Sequence, residues 1–164
     1  MTAEDHAAQV KAELNEAWLP NLYRERVRSK RTRSYHFAGL TKNPRVEIQH
    51  TLLGVELKTG RQRLLCPDLA TARYLAIFAR AGCADVAVPY DITKISQLAD
   101  ELESSWHRML LLADHQAAGK SESFKTRIRR LLVEKIRAEV MAAGAGTSIP
   151  EFKQSTRQRT VIPL

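Results

Sequence analysis

The chain has 164 residues, 44% hydrophobic and 27% charged, with 26 Lys and Arg against 18 Asp and Glu, a formal net charge of +8. That length suits one domain with its own core, and that balance is globular rather than disordered. It excludes a membrane-spanning helix, since no apolar run nears the ~20 residues required.

The start, MTAEDHAAQVKAEL, is acidic and polar, unlike a signal peptide. Two cysteines, Cys66 and Cys83, are too few for a disulfide framework and lack metal-ligand spacing, so a reducing, cytoplasmic setting is expected.

In chain order, residues 3–17 read as a helix, with Ala7, Val10, Leu14 and Ala17 or Trp18 at helical spacing. Pro20 is expected to end or kink it. The basic stretch after Pro20 reads equally as a second helical piece or an irregular arm. Strand patterns follow in SYHFAGL, VEIQHTLL, GVELK and RQRLLC, with a Thr59-Gly60 turn between the last two. Residues 67–81 form an amphipathic helix, begun by Pro67 and Asp68 and stopped at Gly82.

DVAVPY is a short apolar strand, and the strand–helix–strand order over 61–90 predicts a crossover joining a parallel pair. Asp91 or Thr93 caps a long helix to about His115, striped by Ile95, Leu98, Leu102, Trp106, Met109, Leu110 and Ala113. Ser121 or Ser123 caps the last helix, with Ile128, Leu131, Leu132, Ile136 and Val140 inward, stopped by Gly144-Ala145-Gly146. The expected architecture is mixed α/β (α+β): one small mixed sheet of about four strands, flanking helices and extra C-terminal helices. It occupies residues 1–146, with 147–164 as a tail or packing arm.

The charge is clustered. One cluster holds Arg24, Arg26, Arg28, Lys30, Arg31 and Arg33, flanked by Tyr23, Tyr35, His36 and Phe37. The last helix carries Lys120, Lys125, Arg127, Arg129, Arg130, Lys135 and Arg137, and the tail adds Lys153, Arg157 and Arg159. Arg61 and Arg63 follow the Thr59-Gly60 turn. Arginine forks suit phosphate, and such clusters anchor a polyanion backbone without reading its sequence. Aromatic rings beside them offer stacking for unpaired bases, although Tyr and Phe in strands are more often packing residues.

In GVELK, Glu56 and Lys58 stand two residues apart and so on one strand face. VELKTGRQRLLCPDLATARYLAIFARAGCADVAVPY resembles the second half of the PD-(D/E)XK nuclease core, notably the archaeal Holliday-junction resolvase and VRR-nuclease branches. The resemblance covers residues 46–90. It implies a restriction-endonuclease-like fold in which Glu56 ligates Mg²⁺ or Mn²⁺ and Lys58 assists attack on a phosphodiester.

The sequence departs from that pattern in its second acid. There is no Asp between His6 and Pro67, and Glu47 is the one acid from Ser34 to Val55. Glu47 would therefore have to share the metal with Glu56, although HTLLG is a poor turn sequence for folding the two strands together. Glu13, Glu16 or Glu25 on the first helices could stand in. The plain alternative is that Glu56 and Lys58 are the wet side of an alternating strand.

His6, His36, His50, His107 and His115 show no metal-ligand spacing, and His50 reads as semi-buried beside Val46 and Ile48. No phosphate-cradling glycine motif and no nucleophile elbow is present. The sequence thus points to a nucleic-acid-binding protein, for DNA or RNA, in the form of a non-catalytic nuclease-like domain. The alternatives are a Mg²⁺-dependent endonuclease and a protein–protein adaptor whose basic faces meet an acidic partner; the partners expected besides nucleic acid are a second copy, as a homodimer, or that acidic protein.

Overall fold

The N-terminal helix begins where Thr2 and Asp5 cap each other. Asp5 N donates to Thr2 Oγ1 at 3.1 Å and Thr2 N donates to Asp5 Oδ2 at 2.8 Å. The computed structural model describes residues 1–146; the expected tail, 147–164, lies outside the described residues. Helix α1 spans Ala3–Leu14, followed by a 3₁₀ turn at Asn15–Ala17. Pro20 does not end this helix but sits in the first turn of the next, α2, Leu19–Leu22, where a missing N–H costs nothing. The chain then continues without a break as a π-helical stretch, Tyr23–Arg28, so the basic segment is helical as far as Arg28, while Lys30 and Arg31 lie in the short connection that follows and Arg33 in a strand.

Five strands follow: β1 Thr32–His36, β2 Val46–Thr51, β3 Gly54–Thr59, β4 Gln62–Cys66 and β5 Asp85–Pro89. Helix α3, Leu69–Arg80, is capped by Asp68, whose Oδ1 accepts Thr71 N at 2.7 Å. Helix α4, Ile92–Gln116, is capped by Asp91, and α5, Glu122–Ala143, by Ser121. The chain is of the mixed α/β class, with helices and two small antiparallel sheets.

The single mixed sheet with a parallel pair is not what forms. The strands divide into an antiparallel β1–β5 pair and an antiparallel β2–β3–β4 sheet. The reason lies at β5. One edge is taken by β1, with Ser34 opposite Ala87. At Ala87 the N–H and carbonyl are held instead by two tyrosine hydroxyls, of Tyr23 at 2.9 Å and Tyr74 at 2.6 Å. In an antiparallel pair such a residue turns both polar groups away from its partner strand, so the tyrosines stand where a parallel neighbour would bond. β4 meets β1 only across a slot of about 270 Å³, lined by Arg33–Tyr35 and Leu64–Pro67.

The β2–β3 fold-back does form despite HTLLG. Thr51 Oγ1 accepts Leu53 N at 3.2 Å and donates to Gly54 O at 3.1 Å, while Gly54 takes φ +131°, which a side chain disfavours. Leu52 and Leu53 are left fully exposed at the tip.

The three-stranded sheet lays Leu57, Leu64 and Cys66 toward α3, and α3 packs in turn on α4, with α1 and α5 against α4. Trp18, Tyr23, Tyr74, Phe78, Leu102, Met109, Ile128 and Leu132 are fully buried between them. Burial pushes the Cys66 thiol up to about 11 and Cys83 to about 12, so both are inert core thiols. No helix among the described residues is long and apolar enough to cross a membrane.

Candidate nucleic-acid interface

The hairpin brings Glu47 and Glu56 to one face of the sheet. Glu47 stands opposite Lys58 and Gln49 opposite Glu56, and Arg63 faces Lys58 from β4. The two acids are thus diagonal neighbours rather than a facing pair.

Each already has a cation. Arg45 Nε lies 3.3 Å from Glu47 Oε1, and Arg63 Nη1 lies 3.6 Å from Glu56 Oε1. At that length Arg63 gives Glu56 charge but no hydrogen bond, and Oε1 is buried with no hydrogen-bond partner among the described residues.

The two carboxylates stand among three cations, Arg45, Lys58 and Arg63, and among the described residues no group of three or more His, Cys, Asp or Glu is placed to hold a metal. Glu13, Glu16 and Glu25 lie on the first helical segments, not in the hairpin sheet. Glu56 and Lys58 here form the polar side of an alternating strand, with Leu57 between them fully buried.

The basic clusters divide sharply between occupied and open side chains. Arg24 reaches Asn21 and Glu139, Arg26 bonds Glu101 at 3.0 Å, and Arg28 donates to the carbonyls of Ala143 and Gly146 at the end of α5. On α5, Lys125 pairs with Glu122, Arg127 with Glu4 and Arg129 with Asp114. Lys30, Arg31, Arg33, Arg61 and Arg130 are exposed and have no carboxylate partner among the described residues. Arg33 lies on the exposed side of β1, Arg61 on the β3–β4 turn and Arg130 on α5, well separated in the chain.

The expected aromatic partners also move. Tyr23 and Phe37 are buried, Tyr35 is half-buried and edge-on to Phe37 at 4.9 Å, and His36 pairs with Asp85 at 2.7 Å. His50, expected semi-buried, is exposed near the hairpin tip.

One place gathers open cations around an open ring. Lys30 and Arg31, with Ser29, leave the helical segment just before β1. The β1–β5 register, Thr32 opposite Pro89, sets Arg31 beside Tyr90. The Arg31 guanidinium lies 5.5 Å from the Tyr90 ring centroid, while Tyr90 stays 55% exposed. Asp91 then starts α4, accepting Thr93 N at 2.9 Å, and Lys94 follows on the first turn.

Ser29, Lys30, Arg31, Pro89, Tyr90, Asp91 and Lys94 line an open groove of about 640 Å³. Lys30 and Lys94 also line an adjoining hollow of about 150 Å³ with Arg26, Gln97, Leu98 and Glu101. Asp91 is the groove's one carboxylate, and it is committed to its cap. The helix start behind it adds the positive end of a 25-residue dipole.

Tyr90 and Lys94 escaped the sequence reading. Their signal was the PYDITK junction, where a strand end abuts a helix cap; its aromatic looked like the end of an apolar strand. Compared with protein-family models, curated proteins and solved structures, the chain matches none.

Proposed function

We propose that this protein binds nucleic acid through the groove between the start of β1 and the start of α4, without cutting it. The observation that carries this reading is the convergence of Lys30, Arg31 and Lys94 on one groove, none with a carboxylate partner among the described residues. Cations held by intrachain acids have little left for phosphate, whereas open ones release counterions on binding. The nuclease-like resemblance enters only as a non-catalytic relative, because the acids at 47 and 56 are matched by cations. Contacts from Arg33, Arg61 and Arg130 would add to affinity without base readout.

The test is binding of labelled DNA and RNA oligomers between about 50 and 200 mM salt, where three phosphate contacts give a slope in log affinity of roughly −2 to −3. Lys30→Ala with Lys94→Ala should flatten that slope by about 1.4 to 1.8 and weaken all sequences alike. Arg24→Ala should leave the slope unchanged. Absence of binding at the lowest salt, or a slope that ignores Lys30 and Lys94, overturns the proposal; retention of an acidic protein instead would point to the adaptor.

A further inference from the structure

We infer that the groove selects single-stranded over duplex nucleic acid, with Tyr90 as the platform for one base; this rests on the groove being a nucleic-acid site. Tyr90 is the one exposed aromatic of the groove, and its ring is held from one side by Arg31 at 5.5 Å. Its backbone is fixed on both sides, by β5 before it and the Asp91 cap after it, so the ring is kept at the groove. In a duplex every base face is already stacked, and the ring would find nothing to meet. An unpaired base offers a free face, and stacking of this kind tolerates any base.

The shape of the cationic track points the same way. From Tyr90 it follows one face of α4 through Lys94 and Gln97 and stops at Glu101, whose carboxylate is held by Arg26 at 3.0 Å. Residues 91–101 span about 15 Å of helix, enough for a short run of phosphates of one strand. Arg31, Lys30 and Lys94 share the groove with Tyr90, and Lys30 and Lys94 continue into the adjoining hollow. They suit one backbone with its bases turned toward Tyr90 rather than the two backbones of a duplex.

The experiment compares the full chain binding dT₈, U₈ and a hairpin duplex with an equal number of phosphates, at one low salt concentration. Single strands should bind about tenfold or more tightly than the duplex. Tyr90→Ala should remove that preference, costing about tenfold for dT₈ or U₈ with duplex affinity unchanged, and Tyr90→Phe should restore it. Tyr90→Trp gives a second readout: single-strand binding persists and its added emission is quenched by dT₈ or U₈ but not by the duplex. A comparison of U₈ with dU₈, which differ only in the 2′-hydroxyl, identifies the sugar. Equal binding of strand and duplex, or a Tyr90→Ala loss shared by both, overturns the inference while leaving the groove a nucleic-acid site. Failure of every polynucleotide to bind overturns the groove reading itself.

Discussion

Tyr23 and Tyr74 grip a single residue between them: the Tyr23 hydroxyl accepts Ala87 N–H at 2.9 Å, and the Tyr74 hydroxyl donates to the Ala87 carbonyl at 2.6 Å. Tyr23 also donates to Gly144 O at 2.6 Å, so the end of α5 is tied to the same point, and both rings lie on Phe78. Burial raises both hydroxyl pKa values above the ordinary 10, Tyr74 the more strongly. The native state therefore favours the protonated forms, and their contribution is full below about pH 10 and lost as pH rises through the raised values. Tyr74→Phe should cost about 1–3 kcal/mol by leaving the Ala87 carbonyl without its bond. It should also soften the alkaline loss of stability. Denaturant titrations at neutral and alkaline pH check both; an alkaline limb identical to the parent's would refute the assignment.

Glu139 is the acid-side counterpart. Burial opposes its charge, yet hydrogen bonds from Lys11 Nζ at 2.9 Å and Trp18 Nε1 at 3.2 Å hold its carboxyl below the usual 4.5, with Arg24 nearby. A lowered folded pKa means stability that is present above the ordinary value and lost as pH falls through the folded one. Glu139→Gln should destabilise the protein by about 1 kcal/mol at neutral pH, and that penalty should shrink as pH falls through the lowered folded value, where the parent side chain becomes protonated too. A penalty independent of pH would show that shape, not charge, matters there.

The hairpin acids predict indifference to metal. Millimolar Mg²⁺ or Mn²⁺ should leave the melting temperature unchanged, since a bound ion would raise it by mass action. Neither ion should support cleavage of single-stranded or duplex substrates. A metal-dependent rise in melting temperature that Glu56→Gln or Glu47→Gln abolishes would establish a metal site and reverse this reading.

Gly82 turns the chain from α3 toward β5 at φ +77°, under Arg137, which donates to Ala81 O at 2.9 Å and Lys42 O at 2.8 Å. An added Cβ would come within 2.7 Å of Arg137 Nε and 3.0 Å of the Lys42 carbonyl. Gly82→Ala should therefore cost about 1–3 kcal/mol from strained backbone and displaced guanidinium. Thermal unfolding checks it, and a loss below a few tenths of a kcal/mol would show that the loop yields freely.

The sequence by itself determined the helices and strands wherever periodicity and caps agreed: Asp91 and Ser121, each one of two caps on offer, begin their helices, Asp68 caps α3 from the position just ahead of it rather than lying inside it with Pro67, and Ile128, Leu132, Ile136 and Val140 are the buried stripe of α5. These are local properties, set by side chains within a turn or two. The Thr59-Gly60 turn already joined β3 to β4, but tertiary structure alone decided the partner of β5, because the Ala87 edge is satisfied by tyrosines 64 and 13 residues away. It also decided which charges remain open. Arg24 and Arg31 are alike in the sequence; one meets Glu139 on a distant helix, and the other meets the ring of Tyr90 at the mouth of a groove. Charge is written residue by residue, but whether a cation is already neutralised depends on which distant acid folding brings within a few ångströms of it.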